Sequence, residues 1–124
     1  MKKILVLLVF SATLMSCKTD AEKTTQANVT FYSKVWDVAI NEGKIEVLDT
    51  AYSPKIVLHT SPEIKGVADA KAYYANFVTG FSNRQFIVKD MFGQGDKVTK
   101  YWQFKGKHTG TFMGIQATGK LVDI

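Results

Sequence analysis

The residues of this chain best suited to chemistry are two histidines, His59 and His108, and a single cysteine, Cys17. A histidine titrates near neutral pH, so it can take a proton from a bound enol or carbonyl and return it. His108 is the first candidate for that task, because it stands at the head of a glycine- and threonine-rich stretch, 106–120. A second role weighs evenly against it: a rim histidine that pins this stretch by hydrogen bonds. His59 closes the apolar run Ile56-Val57-Leu58 and is a candidate cavity residue; a half-exposed polar residue at a strand end is the commoner outcome. Two histidines without an acidic cluster make a poor metal site, so neither a metal nor a cofactor is expected. The glycine-rich stretch is not a phosphate loop either, since no helix follows it.

Cys17 carries a different chemistry. Residues 1–16 read as an export signal: Lys2 and Lys3, an apolar run from Ile4 to Phe10, then small residues before Cys17. The run is too short for a membrane span, which needs roughly 20 residues. Leu14-Met15-Ser16-Cys17 is similar to the bacterial lipobox, which implies that Cys17 becomes the lipidated first residue of the mature protein. As the chain's one cysteine, Cys17 has no partner for an internal disulfide. The expected location is the bacterial envelope, tethered to the inner or outer membrane, with the polar residues 17–27 as a flexible link.

The rest of the chain must supply the walls of a site. Eight Phe, five Tyr and two Trp are enough for a real core. Trp36, Tyr101, Phe112 and Met113 are the candidate walls of an apolar pocket for a ring-shaped ligand, with Gln103 as a polar group aimed inward. With 46% hydrophobic and 22% charged residues, the composition is globular. The net charge of +5 is spread along the chain without a basic stripe, which argues against a nucleic-acid partner.

Apolar spacing predicts a helix over 28–40, with Thr25 or Asn28 as its cap and Asn41-Glu42-Gly43 as its stop. A short helix over 44–52, a strand over 55–60, a loop over 62–66 and a strong amphipathic helix over 67–81 follow. Residues 84–93 and 97–105 alternate and flank Gly95-Asp96, which predicts an antiparallel hairpin. Leu121-Val122 begins a further strand. Helices first and strands afterwards imply an α+β fold, helices on one face of an antiparallel sheet.

Residues 31–124 resemble the SnoaL-like polyketide cyclase (ester cyclase) branch of the NTF2-like superfamily. Gly106-Lys107-His108-Thr109-Gly110, Phe112-Met113-Gly114-Ile115 and Thr118-Gly119-Lys120 carry the resemblance, supported by Asn41-Glu42-Gly43 and by Gly95-Asp96-Lys97-Val98 ahead of Trp102. Lys107 replaces a threonine of that pattern and Gln116-Ala117 a proline pair. The resemblance implies a cone of N-terminal helices on a curved sheet over 28–124. It also implies two further strands, one bearing an acidic residue, so the sequence is expected to be incomplete at its C-terminus. Three functions remain open: acid/base closure or isomerisation of a small hydrophobic carbonyl compound, binding of a small hydrophobic molecule without chemistry, or an envelope interaction module. A homodimer through the sheet is usual for such a fold.

Overall fold

The helix that opens the structure starts earlier than its apolar stripe. The computed structural model describes residues 19–124, and α1 runs over Asp20–Trp36. Residues 1–16 and the lipid-acceptor assignment of Cys17 lie outside the described residues. Thr19 caps the helix: its hydroxyl accepts from the Glu22 N–H at 3.2 Å, and the Glu22 carboxylate accepts from the Thr19 N–H at 2.6 Å. This reciprocal pair corrects the expected flexible link over 17–27, whose larger part is the first turns of a helix. The Thr25 hydroxyl donates to the Gly95 carbonyl at 3.3 Å, so these turns also lie against the sheet.

At its far end α1 passes into a π-helical turn over Asp37–Asn41. Gly43, at a φ of +73°, ends it where the sequence expects a stop. A Cβ at Gly43 would come within 2.6 Å of the Arg84 guanidinium, which donates to the Ile40 carbonyl at 2.7 Å. The Asn41 side chain satisfies both backbone groups of Phe86, donating to its carbonyl at 3.0 Å and accepting from its N–H at 2.6 Å. The helix end is thereby clamped to the sheet beside Phe86.

A 3₁₀ turn (Ile45–Val47) and α2 (Leu48–Ala51) realise the predicted short helix. The strand expected over 55–60 is only β1 (Val57–Leu58), and it pairs with β2 (Ile64–Lys65) inside the segment expected as a loop. Helix α3 covers Val67–Gly80.

The main sheet is antiparallel in the order β3 (Phe81–Gln94), β4 (Lys97–His108), β5 (Leu121–Asp123). Gly95-Asp96 makes the hairpin turn between β3 and β4. Two bulges, at Asn83-Arg84 and at Lys89, interrupt the β3–β4 register and bend the sheet. Val35, Trp36, Ala39 and Ile40 on one side, Ile45 and Leu48 below, and Phe81 and Phe104 on the sheet make one core. Tyr74, Phe77 and Val78 of α3 close over it. This is the expected α+β architecture.

Candidate functional site

Strand β4 positions the site through its alternation. Val98, Lys100, Trp102, Phe104, Gly106 and His108 share the face toward the helices, while Tyr101 and Gln103 point the other way. Phe104, at 1% exposure, is the centre of the core. The face is therefore apolar, with one titratable residue toward each end.

Toward the hairpin end, Tyr32, Trp36, Tyr73, Tyr74, Phe86 and Trp102 surround a cavity of about 200 Å³, which Lys100 also lines. Trp36, Phe86 and Trp102 form a stack, with ring centroids 5.5 Å and 5.1 Å apart and interplanar angles of 29° and 25°. Tyr74 meets Trp36 edge-on at 4.8 Å. At about 200 Å³ the cavity is smaller than the roughly 300–1,000 Å³ usual for ligand sites, which limits an occupant to about one ring. The broader groove between α1 and β3, lined by Val29, Lys34, Asp37 and Met91, is open, and its two charged residues are exposed.

Lys100 is the unusual member of the cavity. Its Nζ lies 3.6 Å from the centroid of Trp36, 4.7 Å from that of Phe86 and 5.0 Å from that of Tyr32. Burial, with no carboxylate to offset it, pulls the ammonium down to about 7. The ring faces act in the opposite sense by attracting the charged form, yet they replace only part of the lost hydration. Trp36 lines the same cavity, and its indole Nε1 is buried without a hydrogen-bond partner among the described residues. Burial also raises the Tyr52 and Tyr74 phenols, so both stay protonated at any physiological pH.

His108 stands toward the opposite end of the same face. It is 6% exposed and lies under Phe81, with ring centroids 5.2 Å apart. Its Nδ1 shares a hydrogen bond of 3.1 Å with the Thr118 hydroxyl. Its backbone N–H donates to the Lys120 carbonyl at 2.9 Å, and its carbonyl accepts from the Gly119 N–H at 2.8 Å. These are the contacts of the second role weighed for it, pinning the glycine-rich stretch. Gly110 is required there: a Cβ would collide with the Thr79 carbonyl, and the Gly110 N–H donates to Gly80 at 3.0 Å.

Of the other sequence candidates, only Trp36 lines the cavity. His59 is exposed and pairs with Glu63 at 3.0 Å, because its strand stops at Leu58. Tyr101 is 69% exposed on the outer face of the sheet. Gln103, on that same face, donates to Asp123, whose carboxyl Lys105 and Gln103 together hold below its usual range. Phe112 packs into the core against Phe77 and Phe81, 5.0 Å from each. Met113 is exposed, and only its backbone N–H is engaged, by Asn76 at 3.4 Å.

Lys100 escaped sequence reading through a shift of one residue. Counting Tyr101 among the inward residues of β4 put the lysine outside, whereas the two-residue period from Val98 to Trp102 and Phe104 puts it inside. A cation in the middle of an apolar strand face was the available signal. Among the described residues, no group of three or more His, Cys, Asp or Glu is placed to hold a metal.

A model of SnoaL-like polyketide cyclases matches residues 26–124. The chain belongs to the SnoaL-like polyketide cyclase family. Three solved structures share the fold. TsrD from Streptomyces laurentii has a TM-score of 0.71 at 22% identity, over 79% of this chain and 73% of its own. A candidate SnoaL-like polyketide cyclase from Jannaschia sp. CCS1 reaches 0.73 at 22% identity, over 86% and 75%. AclR, a candidate hydroxylase from Streptomyces galilaeus, reaches 0.68 at 24% identity, over 80% and 74%. No curated protein sequence matches the chain. At these identities the likeness extends to the fold of this SnoaL-like domain.

Proposed function

We propose that this SnoaL-like domain takes a small hydrophobic carbonyl compound into its aromatic cavity and moves a proton at the carbon beside the carbonyl, as a cyclase or isomerase does. Lys100 carries the reading: a half-buried amine under three rings, facing an aromatic cavity, with no carboxylate partner among the described residues. An amine that ionises near neutrality can accept a carbon-bound proton as a base and return it as an acid. The apolar walls favour the neutral, basic form of the amine. Proton transfer thus belongs to Lys100, and His108 keeps the glycine-rich stretch in place.

Phenylacetone in D₂O, followed by proton NMR with the full chain, tests this. It is a one-ring ketone whose methylene protons exchange slowly unaided. Wild-type protein accelerates the exchange, and Lys100→Met removes at least a tenfold part of that acceleration, within the range expected for one acid/base group. Exchange no faster than with an equal concentration of free lysine ends the proposal.

The domain works at an envelope membrane, held by an acylated Cys17. The support is the signal-like sequence before that residue and the small residues that precede it. The Thr19 cap stands two residues after Cys17, so a lipid there would hold α1 close against the bilayer without a long leash. Mass spectrometry of protein from its native host will find the chain starting at an acylated Cys17; an unmodified residue 17 contradicts the anchor.

A further inference from the structure

The described lysines differ in what surrounds their amines. Lys23, Lys44, Lys65, Lys71 and Lys105 each hold a carboxylate between 2.6 and 3.2 Å away. Others, such as Lys55, Lys89 and Lys107, are exposed. Lys100 alone among the described lysines lines the aromatic cavity. Its Nζ lies over the indole ring of Trp36, whose own N–H has no partner.

We infer that Lys100 captures its ligand covalently, as an imine with an aldehyde or unhindered ketone bound against Trp36. The inference rests on the reading of this cavity as a carbonyl site. The nitrogen lone pair adds to the carbonyl carbon while the π electrons move to oxygen, which takes up a proton. The carbinolamine then loses its hydroxyl as water, the nitrogen gives up its remaining proton, and a C=N bond stands where the C=O was. Amine and carbonyl yield imine and water, and no oxidant or reductant takes part.

Three features of the cavity favour the reaction. About half of the Lys100 amine is neutral at pH 7, against fewer than about one in a thousand for an ordinary lysine. Apolar walls favour loss of water and slow its return. The protonated imine keeps a positive charge where the three ring faces already hold one. A protonated imine also acidifies the neighbouring C–H, which feeds the proton transfer assigned to the cavity.

Benzaldehyde is the probe, because it has one ring and no proton on the carbon beside its carbonyl. The full chain is incubated with it and sodium cyanoborohydride at pH 7, and benzylated lysines are mapped by peptide mass spectrometry. Lys100 is expected to be labelled at least about tenfold faster than Lys55, Lys89 or Lys107, the excess of neutral amine outweighing its lower intrinsic nucleophilicity. Lys100→Arg abolishes that label and leaves the surface rates unchanged. Trp36→Phe slows labelling at Lys100 alone. Uniform labelling of all lysines in wild-type protein overturns the inference without need of any variant. An unlabelled Lys100 alongside accelerated phenylacetone exchange overturns the imine and spares the proton-transfer reading. When both fail, the cavity is not a carbonyl site.

Discussion

The inward face of β4 carries two titratable residues whose surroundings are opposite. Lys100 and His108 are eight residues apart, roughly 26 Å of extended strand, so they cannot serve one reacting centre. Around His108 the chain folds back: Phe112 fills the space over Phe77 and Phe81, Thr118 meets the imidazole, and Gly119 and Lys120 bond its backbone. Around Lys100 the neighbouring rings stop short of filling the space and leave about 200 Å³. The strand provides the same kind of position twice. What turns one into a packing point and the other into a candidate reactive group is the segment that does, or does not, cover it.

That contrast can be broken from the packed end. Phe112→Ala removes the ring that fills the space beside His108 and should cost about 3 kcal/mol in denaturant unfolding. A loss under about 1 kcal/mol would mean that the ring is not the filler described here. The open end gives a pH signature. The folded-state pKa of Lys100 is depressed, so between about 7 and the ordinary lysine value near 10.4 the unfolded chain binds the additional proton. Stability therefore rises with pH through that window and levels off below it. Thermal melts at pH 7 and pH 9 should show the rise in wild-type protein and a flatter response in Lys100→Met. Equal responses of the two proteins would contradict the assignment.

Smaller effects sharpen the comparison. Thr118→Val deletes the imidazole's partner and should cost about 1 kcal/mol by chemical denaturation, with phenylacetone exchange unchanged. A parallel loss of exchange would return a catalytic part to His108. Thr19→Ala removes the cap of α1 and should also cost about 1 kcal/mol, read by the same unfolding experiment. No change there would restore the picture of 17–27 as an unstructured link.

Most of the scaffold was legible because apolar periodicity determines it. The stripes of α1 and α3, the Gly43 stop and the Gly95-Asp96 turn all stand where spacing and turn chemistry put them. The first turns of α1 were not legible from apolar pattern, since they are held by a polar capping box and by a contact to a turn seventy residues away. The site was legible only in Trp36. Tyr101 and Gln103 were set inward by a one-residue slip, and in a strand such a slip moves every side chain to the opposite face. His108 was found by its motif, but a motif does not reveal that Phe81 and Phe112 close over the ring.

The central claim is that the Lys100 amine is half-buried among aromatic rings, unpaired and poised near neutrality. Nitrogen and carbon NMR of the lysine side chain, titrated between pH 5 and pH 11 in wild-type protein and assigned with Lys100→Arg, reads it directly. The Lys100 Nζ and Cε signals are expected to titrate with a midpoint near 7, apart from every other lysine. A midpoint in the ordinary lysine range, near 10.4, would show a solvated ammonium and remove the basis for both the proton transfer and the imine.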